Sequence, residues 1–237
     1  SYGTYDEWLA CVMGNDWSAA LAINGISGDI STVATGNKLT STLAGKFDDI
    51  VVGQYIKLKG FSANNGVYRV AAKTSGVDLT LAGRTVTNET PSGSSAQIRG
   101  SYLRNSTMFK SLFLQKRLAD DLFLRYAGCF VSAGSLSASV GQFMQGSFTV
   151  ISKSEDDETT DASTGAVLAA PTGRVNDNVA GFKSLQLNDV DLDAVVDMFS
   201  LDMTNEEAAA DEGLGCFGAA GVRLGALKAN GNVRTFV

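Results

Sequence analysis

The positions of apolar residues predict one short helix at the start of the chain. Glu7 lies three residues after Thr4, which is the spacing of a capping box, and Gly14 favours the left-handed conformation that ends a helix. We therefore predict a helix over residues 4–14 that packs one apolar stripe on a sheet. The stripe follows the spacing i, i+3, i+4 and i+7, at Tyr5, Trp8, Leu9 and Val12.

Residues 28–100 show the alternation of apolar and polar positions that is typical of short strands. Ile56 and Leu58 are separated by a lysine, and Leu79 and Leu81 by a threonine. The run Asn64-Asn65-Gly66 indicates a turn between strands. Four or five such strands, separated by turn residues, predict a small β-sandwich or barrel that forms a module of its own.

Beyond residue 102 the alternation predicts longer strands. Between them, residues 152–178 form a long polar stretch, for which we predict a loop that carries function or becomes ordered on a partner. Helical and strand patterns do not alternate along the chain, so we predict an all-β fold and not a doubly wound α/β fold. The positions that share one face of each longer strand are Met144, Gly146, Phe148 and Val150, then Phe199, Leu201 and Met203, and finally Val222, Leu224 and Ala226.

The composition narrows the possible classes of function. The chain has 237 residues, of which 44% are hydrophobic, enough to bury a sizeable core. Its 25 acidic and 19 basic residues give a net charge of −6. That charge disfavours a protein whose main task is gripping nucleic acid, because phosphate binding uses clustered Lys and Arg. The chain contains no histidine, which removes the commonest catalytic base and metal ligand and lowers the expectation of catalysis.

The cysteines and the hydropathy pattern indicate neither a metal site nor a membrane span. Cys11, Cys129 and Cys216 are odd in number and widely spaced, and no C-x-x-C occurs, so we predict reduced thiols. No apolar run reaches the roughly 18 residues that a membrane helix needs. We therefore expect no cofactor and no membrane-spanning segment.

One glycine motif matches the dinucleotide-binding fingerprint by letter. The run from Gly213 through Gly215 to Gly218 reads G-x-G-x-x-G. A nucleotide site also requires a buried strand before the motif and an acidic residue about 20 residues after it. The preceding residues 206–212 are acidic and alanine-rich, and the sequence reaches Val237 before such an acid. The glycines favour tight turns, bulges or close backbone packing instead.

Two patterns of acidic residues also fail to specify a site. Asp189, Asp191 and Asp193 occupy the first three ligand positions of an EF-hand loop. The sixth position is Ala194 and the twelfth is Ser200, so the loop lacks the glycine turn and the bidentate glutamate that calcium requires. A glycosidase requires a pair of carboxylates, and the sequence singles out no pair among its many acids.

Several ordered stretches of the second half, residues 102–237, follow a known family pattern. The ending, residues 199–203 followed by the glycine series at residues 213–222, is the most specific part of this pattern. In these stretches the chain resembles the tail tube proteins of long, non-contractile-tailed bacteriophages, the siphophages. Residues 46–72 resemble an extra β module of some tail tubes. The stretches are residues 109–117, 123–128, 135–139, 145–150, 169–172, 179–182, 199–203 and 213–222.

The resemblance implies an all-β tail-tube sandwich or barrel with one short packing helix and an inserted small β module. We assign residues 1–27 and 101–237 to the tail tube domain. Residues 28–100 are then the inserted sandwich or barrel, which we expect on the outer surface. The resemblance also leads us to expect further strands beyond both ends of the sequence.

The implied function is structural and not enzymatic. The resemblance implies hexameric rings that stack into a tail tube, house the tape measure protein and conduct the genome at delivery. Tail terminator and distal tail proteins are the further implied partners, and DNA passes without adhering because an acidic protein presents a like-charged lumen. The implied location is the virion tail, after synthesis in the cytoplasm of the bacterial host.

Three groups of residues are candidates for roles in such an assembly. The candidates for a lumen-facing or ring-to-ring loop are the clustered acids Glu155, Asp156, Asp157, Glu158 and Asp161. The candidate intersubunit salt-bridge partners are Arg117, Arg125 and Arg223. The candidates for close backbone packing are Gly213, Gly215, Gly218 and Gly221.

Two other classes of protein remain compatible with the residue pattern. One is a carbohydrate- or surface-binding β module of the adhesin type, which should stay monomeric and retain a saccharide. The other, less favoured, is a glycosidase, which requires an acid pair whose mutation abolishes turnover.

Overall fold

The protein is all-β with one short helix, as the sequence predicts. The computed structural model describes residues 5–93, 95–163, 186–187, 190–191, 195–215, 218–223 and 225–236. The chain divides into two compact units. We call them the smaller unit (Trp17–Tyr102 and Ser184–Asp193) and the larger unit (Ser1–Asp16, Leu103–Lys183 and Ala194–Val237).

The elements follow one another in this order. Helix α1 (Asp6–Met13) is followed by β1 (Leu21–Asn24), β2 (Ile30–Val33), β3 (Lys38–Ser41), β4 (Tyr55–Lys59), β5 (Gly66–Ser75), β6 (Asp78–Ala82) and β7 (Gln97–Gly100). Then come β8 (Leu112–Ala119), β9 (Leu122–Ser139), β10 (Gln145–Ile151), β11 (Ser154–Glu158), β12 (Gln186–Leu187) and β13 (Val190–Asp191). The last four are β14 (Val195–Asn205), β15 (Ala209–Glu212), β16 (Ala219–Arg223) and β17 (Leu227–Phe236).

The smaller unit contains one antiparallel sheet of seven strands in the order β1-β7-β4-β5-β6-β3-β2. Ile56 and Leu58 on β4 are fully buried, which confirms the predicted alternation. Leu21 on β1 and Ile30 on β2 lie at opposite edges of the sheet, yet both belong to the same core cluster. The sheet therefore curls around a single core, and residues 21–24 pair with residues 97–100 at one edge.

A buried asparagine organises the turn before β5. The Asn64 amide donates to the Thr32 hydroxyl at 2.9 Å and to the Glu89 carboxylate at 2.8 Å, and it accepts from the Thr87 backbone N–H at 2.9 Å. The Glu89 carboxylate also accepts from the backbone N–H groups of residues 62–64. Burial raises the pKa of Glu89, but these hydrogen bonds outweigh burial and leave its pKa below the ordinary value. Residues 60–65 connect the antiparallel strands β4 and β5, so the chain reverses just before the predicted turn, and Gly66 is the first residue of β5.

One strand, β9, connects the whole of the larger unit. Its residues 122–129 pair with β8 on one side and β11 on the other, and its residues 130–139 pair with β10 and β14. Strand β17 adds to the outer side of β14. Where the partners change, Gly128 adopts a φ of +59°, and a Cβ there would lie 3.0 Å from the Lys153 side chain. Glycine therefore lets one strand serve both sets of partners.

The helix packs on β9 and β14 through its apolar stripe. The Trp8 ring stacks on the Phe148 ring at a centroid distance of 5.7 Å, and a Cβ at Gly134 would lie 2.9 Å from the Phe148 ring. The helix ends at Gly14 in the left-handed conformation, as predicted. At the other end Tyr5 precedes the first helical residue without a side-chain hydrogen bond, so the helix begins later than the predicted cap, and Thr4 itself lies outside the described residues.

We predict that Glu89→Gln destabilises the smaller unit at neutral pH by about 1–3 kcal/mol, because amides of residues 62–64 lose a charged acceptor. Because the pKa of Glu89 is lowered by folding, its contribution is present above the pKa of an unfolded glutamate, about 4.3, and is lost as pH falls through the folded value. The measurement is the free energy of opening of β4 and β5 by hydrogen exchange at neutral and acid pH.

The matched control is Glu207→Gln. Glu207 is exposed, and its carboxylate forms no ion pair or hydrogen bond with the described residues. Equal effects of the two substitutions, or an unchanged pH dependence in Glu89→Gln, would contradict the role assigned to the carboxylate.

Candidate functional site

The clustered acidic residues lie on a strand and not in a loop. Glu155, Asp156, Asp157 and Glu158 form most of β11, which pairs along its whole length with the first half of β9. The prediction of an unstructured loop is therefore wrong for residues 154–158. Backbone pairing explains the difference, because β9 offers a free edge that satisfies the N–H and C=O groups of a polar strand as well as those of an apolar one.

The strand separates its acids onto two faces. Glu155 and Asp157 share one face, because side chains alternate along a strand. The Tyr126 hydroxyl donates to the Glu155 carboxylate, and this hydrogen bond raises the pKa of Tyr126. On the opposite face the Arg125 guanidinium lies 3.5 Å from the Glu158 carboxylate. Arg125 thus pairs with one acid of one face, whereas Glu155 and Asp157 on the other face form no ion pair with the described residues.

Arg125 also holds the segment that follows β11. Its guanidinium donates to the Thr160 carbonyl at 2.5 Å and to the Gln115 side-chain oxygen at 3.2 Å. The Gln115 amide donates to the Asp161 carboxylate at 2.6 Å. Hydrogen bonds from the Ser163 backbone N–H and from Gln115 lower the pKa of Asp161. Asp161 is thereby fixed beside β8, and Arg125 is engaged inside its own unit.

The other two candidate arginines lie apart from this network. Arg117 pairs with Asp120 at the end of the β8–β9 hairpin, and its side chain is 61% exposed. Arg223 at the end of β16 lies 3.8 Å from Asp211 and is equally exposed. The structure therefore does not bring the three arginines together. Arg117 and Arg223 remain accessible for further contacts, whereas the guanidinium of Arg125 is largely occupied.

The candidate glycines lie around the β15–β16 hairpin. Gly213 and Gly215 follow β15, and Gly221 lies within β16. A Cβ added at Gly215 or Gly221 would meet nothing within 4 Å. At Gly218 a Cβ would lie 2.8 Å from the Lys153 carbonyl oxygen. The same carbonyl accepts a hydrogen bond from the backbone N–H of Ala219 at 3.0 Å. Of Gly215, Gly218 and Gly221, only Gly218 shows a close backbone approach among the described residues.

The sequence did not reveal how many apolar side chains the larger unit leaves exposed. These residues lie in the segment before β8, on β8, at the hairpin ends and on β14 and β17, where the simple alternation of positions does not indicate which face is covered. Several strands also have one free edge, since β8, β10, β11 and β17 each pair on one side only among the described strands. The exposed apolar residues are Met108, Phe109, Phe113, Leu118, Leu122, Val140, Phe143, Val195, Leu214 and Val233.

The described part of the chain shows no group of side chains that could hold a metal ion. Of the EF-hand-like acids, Asp191 lies at the end of β13, and Asp189 and Asp193 lie outside the described residues. No helix among the described residues is long and apolar enough to cross a membrane. Cys11 and Cys129 are buried free thiols, and burial raises the pKa of both. Cys216 is outside the described residues.

We predict that Arg125→Lys accelerates amide exchange across residues 159–163 about tenfold without changing the strand content. A lysine keeps the charge but loses the planar fork that reaches Thr160, Gln115 and Glu158 together. Arg117→Lys is the control, because Arg117 is exposed at a hairpin end. If amide exchange in Arg125→Lys is unchanged, the backbone pairing of β11 is sufficient to hold residues 159–163 and the Arg125 side chain is not required.

Comparison with known proteins assigns the chain to a family. A sequence model described as phage tail tube protein matches residues 1–236, which include both units. No curated protein matches the chain at a significant level. The family is structural and non-enzymatic, in agreement with the predicted absence of enzymatic function. The match extends over almost the whole sequence, and the all-β fold with one short helix agrees with it, so this chain belongs to the phage tail tube protein family.

Proposed function

We propose that the chain self-associates into hexameric rings and that these rings stack into the tail tube. The observation that carries this proposal is the larger unit's combination of free strand edges and exposed apolar side chains. A free edge presents unpaired N–H and C=O groups, and a neighbouring copy satisfies them at low cost. Head-to-tail contacts of this kind close into a ring when the rotation between copies permits it.

The distribution of apolar burial supports self-association over a monomeric role. The smaller unit buries a continuous core under its curled sheet. In the larger unit, burial is concentrated around α1 and the middle of β9, whereas residues 228–235 of β17 are exposed. A carbohydrate-binding module or a glycosidase has no need of such edges. Neither alternative is supported by a specific arrangement of the described side chains.

The assembly of the chain into a tube implies the other parts of the proposed function. The tube houses the tape measure protein, contacts tail terminator and distal tail proteins at its ends, and conducts the genome. The chain belongs to the virion tail by its family, and we propose that it is made in the cytoplasm of the bacterial host. The candidate acids on β11 and at Asp161 then face either the lumen or the next ring.

We further propose that residues 28–100 form an inserted module on the outer surface of the tube. Support comes from the separate core of the smaller unit. Its edge strand β1 pairs with β7 and places residues 21 and 100 in register, so the chain enters and leaves the smaller unit at neighbouring positions, as an insertion requires. The tail tube domain is then formed by residues 1–27 and 101–237.

We predict that the purified protein forms rings or tubes in negative-stain images and sediments with a concentration-dependent mass. Phe113→Ser should raise the concentration of half-assembly about tenfold or more, because burying a phenylalanine at an interface contributes about 1.5–3 kcal/mol. The monomer should keep its stability, since Phe113 is 56% exposed.

Ile26→Ser is the matched control, because Ile26 is 55% exposed on the smaller unit. A parent protein that stays monomeric at high concentration, even with tape measure protein present, would overturn self-assembly. A Phe113→Ser variant that assembles as readily as the parent would remove Phe113 from the proposed interface.

We predict no measurable binding of duplex DNA at physiological salt, because the net charge of −6 repels phosphate and a conduit must not retain its cargo. Fluorescence anisotropy with a labelled duplex tests this. Micromolar or tighter affinity that weakens steeply with added salt would contradict non-adhesive passage.

A further inference from the structure

The outward face of the smaller unit's sheet is basic. Ile56 and Leu58 on β4 point into the core, so Tyr55, Lys57 and Lys59 point away from it. All three outward residues are exposed. Neither lysine forms an ion pair with any described residue, so both ammonium groups are available to a partner.

The neighbouring strands extend this face without adding acid. Lys57 lies in register with Arg99 on β7, and Tyr55 lies in register with Arg69 on β5. The Arg99 guanidinium donates to the Ile23 carbonyl at 2.7 Å and to the Asn24 side chain, and neither is a carboxylate. The outward residues on β1, β7, β4 and β5 through Arg69 include no Asp or Glu: Ala22, Asn24, Gln97, Arg99, Tyr55, Lys57, Lys59, Val67 and Arg69.

The rest of the chain has the opposite charge. Residues 17–102 carry eight Lys or Arg and five Asp or Glu, whereas the whole chain carries 19 and 25. The negative excess therefore lies outside this segment. Its densest exposed run among the described residues is β11, where four acids follow one another.

The geometry of β11 matches the two lysines. Lys57 and Lys59 are two residues apart on one face of a strand, and so are Glu155 and Asp157. Both pairs are therefore spaced by about 6.6 Å. Asp157 forms no ion pair or hydrogen bond with the described side chains, and Glu155 accepts only from Tyr126, which leaves its other lone pairs available.

We propose that the Lys57–Lys59 face of one copy docks on the Glu155–Asp157 face of β11 in a second copy. This inference rests on the self-assembly proposed above and deepens it by naming one contact. It assigns the acidic face of β11 to contact between copies and not to the lumen. We assign β11 of a second copy as the partner because the charges are complementary, the spacings of the two pairs match, and the basic face carries no acid.

The test is a charge-reversal series examined by sedimentation and negative-stain imaging. Lys57→Glu with Lys59→Glu should raise the concentration of half-assembly at least about tenfold, because two attractive pairs become repulsive. Adding Glu155→Lys and Asp157→Lys in the same chain should restore assembly to near the parent value. Added salt should weaken assembly of the parent.

The matched control joins Lys57→Glu and Lys59→Glu with Asp48→Lys and Asp49→Lys. Asp48 and Asp49 are exposed acids of the smaller unit, so this variant has the same net charge as the rescued one without recreating the pairing. Restored assembly in the rescued variant and not in the control supports the contact. Equal restoration in both overturns β11 as the partner, and circular dichroism confirms that each variant is folded.

The outcomes separate this inference from the proposal on which it rests. A parent that never assembles overturns both. A parent that assembles together with an unaffected Lys57→Glu, Lys59→Glu variant overturns only the docking contact. If that variant assembles normally but loses binding of a single-stranded oligonucleotide that the parent retains, the face belongs to an anionic polymer and the second copy is excluded.

Discussion

The pairing of four strands with β9 is the interaction on which the larger unit depends. Strands β8, β10, β11 and β14 all take their backbone partners from this one strand of 18 residues. An isolated strand has no stability of its own, so each partner is held in place by hydrogen bonds to β9 and by the apolar residues behind it. The left-handed conformation of Gly128 within β9 allows one strand to satisfy both sets of partners.

The two units solve the problem of burying apolar surface in different ways. The smaller unit curls one sheet until strands from its opposite edges contribute to the same core. The larger unit covers β9 and β14 with a helix of eight residues, too short to cover strands of 18 and 11 residues along their length. Apolar residues beyond the reach of the helix stay exposed, which is the usual signature of a surface that another chain covers.

The charged side chains also differ between the two units. On the larger unit Arg125 pairs with Glu158 on one face of β11 and holds the following segment, while the two acids of the other face form no ion pair with the described residues. On the smaller unit the outward face carries lysines and arginines with no acid between them. A chain with a net charge of −6 thus presents both signs on separate surfaces, and alternating contacts between copies are electrostatically possible without any change of fold.

The sequence by itself determined the class of fold and the local elements. Alternation placed β4, β6, β10 and β14 correctly, because a side-chain period of two is a local property of an extended backbone. Gly14 ended the helix where expected. The resemblance of the second half to tail tube proteins was also readable from the residues, and the family match confirms it.

The tertiary structure decided whatever depends on residues far apart in the chain. The acids at residues 155–158 read as a loop, and only the free edge of β9 makes them a strand. The Arg125 guanidinium donates hydrogen bonds to Thr160 and Gln115, and no spacing pattern in the sequence predicts these bonds. Which apolar residues stay exposed depends equally on where a helix of eight residues lies. Local periodicity specifies the direction of a side chain relative to its own strand, but pairing between distant segments decides what, if anything, that side chain meets.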